Sequence, residues 1–331
     1  MSTISGSIEG KNILILGGLG FIGSNLAQTL CRYDCTITIF DALIEGLGGN
    51  LANIKEIKDE VQLVKGDIRD FALVEQHVRD KDIIFNCAGQ TDHVRSMKEP
   101  FLDIDINCRG IMNVLEAVRT VNDSAKIVFT GTRSQFSKMV YSPFDEDHPE
   151  FPSDIYSANR SVGEKYHLIY YRAHGIKSTS LRLTNIYGPR SPISHGGHNV
   201  INFFVRLAIT DQTIPIYQPG QQKRDILFIE DAVDSLIGAA ITDRSDGEVF
   251  IVGSGKPVPL IDIAKMIVNY AGSGEVTLVP WPENRKKIEV GDVVLNIDKI
   301  KKILGWNPRT NFEEGIKKTI SFYRGRLNEY I

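Results

Sequence analysis

Six short apolar runs recur through the first part of the chain: KNILILGG from Lys11, CTITIFDA from Cys35, VQLVKGD from Val61, DIIFNCAG from Asp82, KIVFTGT from Lys126 and STSLRLTN from Ser178. Each is rich in β-branched residues and closes on Gly, Asp, Thr or Asn, which reads as a strand rather than a buried helix segment. Between them, FIGSNLAQTLCRY, FALVEQHVRD and GIMNVLEAVRTV place apolar residues at the period of an amphipathic helix. Strands alternating with helices predict an α/β fold, a doubly wound parallel sheet with helices on both faces and right-handed crossovers.

After Tyr187 the pattern changes. GPRSPISHGGHN reads as a loop, followed by an amphipathic helix over Val200 to Ile209, short strands such as TIPIY and EVFIVG, and a helix over Leu260 to Tyr270. The expected organisation is therefore a sheet domain over residues 1–187 and a smaller mixed α/β portion over 188–331, set at the C-terminal side of the strands. Some segments of the second part are expected to return to the first.

Composition narrows the class. With 331 residues, 42% of them hydrophobic and 24% charged, the chain has the balance of a globular protein. A formal charge of −3 gives no overall basic field, so neither nucleic acid nor an anionic membrane is an expected partner. MSTISGSIEGKN lacks the pattern of a targeting peptide, and no apolar stretch approaches the roughly 20 residues of a membrane span, so a cytoplasmic location is expected. Four cysteines in a chain this long make no disulfide scaffold. His195 and His198, in SHGGH, have no carboxylate nearby and make an incomplete metal site, so no metal is expected.

The chemistry begins at LGGLGFIGS. Gly17, Gly20 and Gly23 follow a strand and open a helix, the setting in which glycines permit a tight turn, close approach of backbone to a pyrophosphate, and packing of helix on strand. Phe21, Ile22 and Gly23 then present a helix N-terminus to the phosphates. Asp41 closes the second strand 18 residues after Gly23, placed to accept from ribose hydroxyls and to repel a 2′-phosphate. These features point to a Rossmann-type site for NAD. Asp67 and Ile68, at the end of the third strand, are candidates for the adenine edge.

The glycine loop, the NCAG end of the fourth strand, DINCRGIMNVLEA, FTGT, a Tyr-x-x-x-Arg pair, RLTNIYGPR, RDILFIEDAV and ENRKKIEVGD follow one another in a single order. Together they resemble the extended short-chain dehydrogenase/reductase family, in its nucleotide-sugar epimerase and dehydratase branch. The resemblance implies a bound NAD contacted also by Ala88, Gly89 and Gln90, and a homodimer built on helices near Phe101 to Val121 and Tyr156 to His174. Ile169, Tyr170 and Tyr171 are apolar enough for that interface or for the core. Asn107 corresponds to a family asparagine that props the active-site helix beside the cofactor.

In such proteins a Tyr takes the proton of a sugar hydroxyl, a Ser or Thr bonds the same oxygen, and a lysine four residues after the Tyr holds the nicotinamide ribose. Tyr156 and Thr132 match the first two, and Arg160 stands in place of the third. A fixed cation at ~4 Å in an effective dielectric of ~20 favours phenolate by about 4 kcal/mol, roughly three pKa units. Arginine supplies that charge and can donate to ribose hydroxyls, but with a pKa above ~12 it releases no proton, so a relay through this side chain is closed. Activity retained but reduced is the expectation. The alternatives are a site that binds without turnover and an arginine turned elsewhere while a cation such as Lys165 substitutes.

Which reaction follows depends on neighbouring side chains. Dehydratases of the family carry an Asp-Glu pair after the Thr, and decarboxylating relatives commonly a Glu; this chain has Arg133 and Ser134. Epimerisation at C4 needs no further acid or base and is the leading expectation, with a 4-dehydrogenase or 4-reductase, a dehydratase, or a binding protein without turnover as alternatives. Arg133 and Ser134 are candidates to touch the sugar. By the resemblance, Asn185, Asn199, Arg224 and Arg285 bind the substrate, the two arginines as a clamp for two phosphates.

Overall fold

The computed structural model describes residues 7–137, 139–197, 199–283 and 291–331. Its strands are β1 (Asn12–Leu16), β2 (Thr36–Asp41), β3 (Gln62–Lys65), β4 (Ile83–Asn86), β5 (Lys126–Thr132), β6 (Ser178–Leu183), β7 (Asn185–Tyr187), β8 (Thr213–Tyr217), β9 (Lys223–Arg224), β10 (Ile226–Phe228), β11 (Val249–Val252), β12 (Val258–Pro259) and β13 (Glu275–Val279). The α-helices are α1 (Phe21–Leu30), α2 (Phe71–Val78), α3 (His93–Lys98), α4 (Pro100–Ile104), α5 (Ile111–Val121), α6 (Ile155–His174), α7 (Val200–Ile209), α8 (Ile229–Ala240), α9 (Leu260–Ala271), α10 (Asp298–Leu304) and α11 (Phe312–Arg324).

Seven strands form one parallel sheet in the order β3-β2-β1-β4-β5-β6-β11. The direction of winding reverses between β1 and β4, where Ile13 to Leu16 pair in register with Ile83 to Asn86. Both faces are covered, and successive residues of one strand enter opposite cores. Ile13 and Ile15 join Leu26, Leu30, Leu236 and Ile237 on one side, whereas Leu14 and Leu16 join Ile111, Val114, Leu115 and Val118 on the other. Two-sided burial is the reason these strands read as continuous apolar runs.

EVFIVG belongs to this sheet and not to the smaller portion expected from its position in the chain. As β11 it pairs with β6 at the edge, Val249 opposite Ser180, and all four of its residues are buried. TIPIY does lie in the smaller portion, where β8 pairs with β13. Two further small pairs, β7 with β10 and β9 with β12, complete that region.

Helix α6 carries the tyrosine and is fixed at both ends. Asp154 caps its start by accepting from the Ser157 amide at 2.8 Å, and Gly175 ends it in the left-handed region at φ 71°. Between α4 and α5 the backbone widens into a π-helical turn over Asp105–Gly110, which carries Asn107 toward the base of the site.

Candidate active site

A cleft of about 370 Å³ opens where the strand order reverses, at the carboxyl ends of the central strands. Gly17, Gly20, Phe21, Ile22, Gly23, Asp41, Asp67, Ile68, Ala88 and Gly89 line one end. Thr132, Arg133, Ser134, Tyr156, Arg160, Asn185 and Asn199 line the other. The wall therefore gathers residues separated by up to about 180 positions in sequence.

The glycine loop has the shape a dinucleotide needs. Gly17 lies at φ +72°, and a Cβ there would stand 2.8 Å from the Ala88 backbone; one on Gly23 would stand 2.4 Å from the Gly17 carbonyl oxygen. Only glycine allows that closeness. Helix α1 begins directly after Gly20 with no side-chain cap and no acidic residue in its first turn, so its leading N–H groups face the cleft available to an anion. Asp41 accepts from the Leu19 amide at 3.0 Å and the Leu43 amide at 2.8 Å, one on each oxygen. A carboxylate oxygen accepts more than one bond, so capacity remains for ribose hydroxyls. Burial raises the Asp41 pKa, against those two amides. Asp67 is gripped by Arg69, with Nη2 at 2.6 Å from Oδ2, and its side-chain orientation at the rim is set by that pair.

At the other end of the cleft, Tyr156 is buried and Thr132 hydrogen-bonds with it. Burial pushes the phenol up; the Arg160 charge and the Thr132 bond pull it down, and Asp154 and Asp103 oppose them. The threonine hydroxyl also donates to Ser134 Oγ at 3.1 Å, so Ser134 belongs to the same hydroxyl cluster. Arg133 reaches across the cleft to Asn185 Oδ1 at 3.2 Å. Asn199 caps α7 and donates to the Ile186 carbonyl at 2.7 Å, which holds the cleft wall together.

Arg160 is 3% exposed and committed to the protein around it. Nη1 donates to the Ala88 carbonyl at 3.0 Å and to Asn107 Oδ1 at 3.4 Å, and Nη2 to the carbonyl and hydroxyl of Thr130. The guanidinium lies over Phe129, 4.3 Å from the ring centroid. It thus fastens the ends of β4 and β5 to α6 from beneath the cleft while bringing its charge to Tyr156. Lys165 does not substitute for it: its ammonium bonds Glu150 and Ser161, away from the cleft.

Three side chains expected to touch cofactor or substrate are placed otherwise. Gln90 turns inward and donates to Asp103 Oδ2 at 2.7 Å, and Asn107 donates to the Gln90 carbonyl at 2.9 Å and to Asp103 Oδ1 at 3.1 Å. With Asn159 also donating to it at 2.8 Å, Asp103 is a buried carboxylate held by three amides, and it turns the side-chain nitrogens of Gln90 and Asn107 toward itself. Arg224 lies on β9 outside the cleft lining and donates to the Gly291 carbonyl at 2.7 Å. Arg285 and His198 lie outside the described residues.

His93 lines the cleft as well, and the sequence pattern does not single it out. Its Nδ1 lies 2.7 Å from Asp154 Oδ2, and its ring meets Tyr156 edge-on with centroids 4.8 Å apart. The signal in sequence is only an Asp before a short helix, Asp92, and nothing local links position 93 to position 154.

A model of the family described as GDP-mannose 4,6 dehydratase matches residues 14–319. The chain belongs to that family. It is a family of NAD-dependent nucleotide-sugar epimerases and dehydratases. A UDP-glucose 4-epimerase of Mycolicibacterium smegmatis is 30% identical, with 95% of this chain and 98% of that one covered. The structure of a UDP-glucose 4-epimerase from Thermotoga maritima with UDP-glucose superimposes with TM-score 0.87 at 26% identity, covering 96% and 99% of the two chains. That of a dTDP-glucose 4,6-dehydratase from Bacillus anthracis in complex with NAD gives 0.84 at 26%, covering 97% and 98%. Similarity is thus spread over epimerases and dehydratases alike. Among the described residues no helix is long and apolar enough to cross a membrane.

Proposed function

We propose that this member is a nucleotide-sugar 4-epimerase. The observation that carries the reading is the lining of the reacting end: Tyr156 and Thr132 meet there with Arg133 and Ser134, and the carboxylates of the described lining, Asp41 and Asp67, stand at the opposite end. Removing water or a carboxyl group from a sugar calls for an acid or base beyond the tyrosine. Reversing one carbinol centre does not.

Bound NAD would supply reversible hydride transfer at a ring carbon. The glycine loop and the start of α1 would hold its pyrophosphate, Asp41 its adenosine ribose, and Asp67 and Ile68 the adenine edge. Thr132 orients the sugar hydroxyl, and Tyr156 takes that proton and later gives it back. Arg160 favours the phenolate by its charge rather than by a bond from Nη1 or Nη2 to ribose, since those two groups are given to Ala88, Thr130 and Asn107. Arg133, with Asn185 behind it, suits a sugar or diphosphate bearing negative charge.

A homodimer is part of the same reading, supported by apolar side chains left at the surface of the two expected helical regions. Phe101 is 80% exposed and Ile169 53%, while Tyr170 is buried with its hydroxyl on Glu116.

The test is to follow UDP-, GDP-, CDP- and dTDP-linked hexoses, heptoses and uronic acids by NMR in D2O, with NAD added. Inversion at C4 with no deuterium entering the ring is the expected result. Deuterium beside the carbonyl carbon, loss of water, or net formation of NADH would replace the 4-epimerase by another reaction of the family.

A further inference from the structure

The turn that follows β5 gives two of its residues to the cleft and two to the core. Over Arg133–Phe136 the chain makes a short 3₁₀ turn, capped by Thr132, whose hydroxyl accepts from the Ser134 amide at 3.1 Å. Gln135 and Phe136 are buried beneath it. Gln135 sets its amide against the buried Glu164–Arg182 ion pair, and the Arg182 guanidinium lies 4.8 Å from the Phe136 ring centroid. Anchored in this way, the turn holds Arg133 and Ser134 in the cleft lining at positions set by core packing.

What these side chains offer is hydrogen-bond donors. Arg133 Nη2 donates to Asn185 Oδ1 at 3.2 Å, and because a guanidinium has no acceptor, that bond fixes which end of the amide faces the arginine. Nδ2 of Asn185, with its two donors, is left for the cleft that Asn185 lines. Ser134 Oγ accepts from the Thr132 hydroxyl at 3.1 Å, so its own O–H is what it has to give. Asn199, the other amide of this wall, is engaged at both ends, donating to the Ile186 carbonyl and accepting from the Asn202 amide. A sugar hydroxyl donates and accepts at once and is met best by a mixture of partners. A carboxylate only accepts, and it pairs with a guanidinium through charge-assisted bonds.

Thr132 decides where on the sugar these donors fall. With the C4 hydroxyl on Thr132 and Tyr156, the adjoining substituents are those of C3 and C5, whereas the diphosphate leaves C1 on the far side of the ring. Arg133 follows Thr132 directly, with its Cα ~3.8 Å away. We infer that Arg133, Asn185 and Ser134 form a carboxylate subsite, and that the substrate class is a nucleotide-linked uronic acid whose carboxylate on C5 stands beside the reacting carbon. The guanidinium meets the charge, and the amide and hydroxyl meet the remaining lone pairs, which is the satisfaction a carboxylate needs once water is excluded. A plain hexose carries a hydroxymethyl group there and returns no charge to Arg133. These residues move no proton; they determine specificity.

The inference rests on the 4-epimerase reading for the ring carbon that meets Tyr156, and the experiment separates the two. Holoprotein carrying Tyr156→Phe, which lacks the base, is titrated by calorimetry with UDP, GDP, CDP and dTDP, then with the glucose and glucuronate esters of the diphosphate that binds most tightly. The glucuronate ester should bind with a Kd lower by about 10- to 100-fold, the span expected of a hydrogen bond to a charged group. In the same background Arg133→Gln should bring the two constants together, and Arg133→Lys should keep part of the difference. Asn185→Asp should also abolish the preference, because the new carboxylate pairs with Arg133 itself. Urea midpoints and NAD affinity, measured for each variant, keep a lost fold from being counted as a lost subsite. Equal binding of the two esters before Arg133 is changed would overturn the inference. So would a loss in Arg133→Gln shared equally by the diphosphate and both esters, which would put the arginine on the diphosphate. Preference for the glucuronate ester without inversion at C4 in the wild type would keep the subsite and remove the 4-epimerase; inversion of hexoses with no such preference would do the reverse.

Discussion

Replacing Arg160 by methionine keeps a long unbranched side chain and deletes the buried charge. Side chains four apart on a helix have Cβ atoms ~5–6 Å apart, and a unit charge ~6 Å from the phenolate in an effective dielectric of ~20 is worth about 3 kcal/mol. That equals about two pKa units, so the phenolate fraction at a fixed pH should fall about 100-fold. Burial, the first cause of the raised Tyr156 pKa, would then act without its main counterweight. The folding cost has a different sign structure. Three acceptors, the Ala88 and Thr130 carbonyls and Asn107 Oδ1, lose a donor, each at about 1–3 kcal/mol, but a desolvated cation is also removed. Folding and chemistry must therefore be measured apart: urea titration for stability, and single-turnover rates from pH 6 to 10 for catalysis. The expected profile is displaced about two units to higher pH, with the rate recovering at the alkaline end, while Arg160→Lys stays near the wild-type position. A folded Arg160→Met protein with an unshifted profile would refute the electrostatic role assigned to this residue.

Three further outcomes are expected. Gly89→Ala places a Cβ 2.7 Å from Arg160 Nη1 and 2.9 Å from Asn107 Oδ1, so the guanidinium must move; displacement by about 1 Å can cost on the order of 100-fold, read as kcat with NAD affinity measured alongside. Arg133→Gln should raise KM about 10- to 100-fold for a substrate whose negative charge it meets, with kcat little changed, because a bond to a charged group contributes about 1.5–3 kcal/mol. The contributions of two buried groups to stability should oppose each other between pH 6.5 and 4. Burial raises Asp225 to about 6, so its contribution is complete below the unfolded value near 4 and is lost as pH rises through 6; burial lowers His167 to about 4, so its contribution is present above about 6.5 and lost as pH falls. Each is worth about 3 kcal/mol, and Asp225→Asn should expose the His167 term as a fall in urea midpoint toward pH 4, with a flat midpoint counting against both assignments.

Local sequence determined the elements that are bound by short-range physics. The apolar runs became the strands of the large sheet because both faces are buried, and Gly17 and Gly23 mark a loop where any Cβ would strike backbone. Tyr156, Thr132 and Arg160 were picked out by the family resemblance, and their shared cleft follows from the order of strands and helices. What Arg160 touches was not legible. Its partners come from β4, β5 and the turn at Asn107, and burial makes those carbonyls compete for its N–H groups. The same competition turned Gln90 and Asn107 toward Asp103, because a buried carboxylate needs donors more than a solvated ribose does. Edge strand β11 and the His93–Asp154 pair belong to tertiary structure for one reason: each joins segments remote in sequence, whose residues carry no local mark of the partner they will meet.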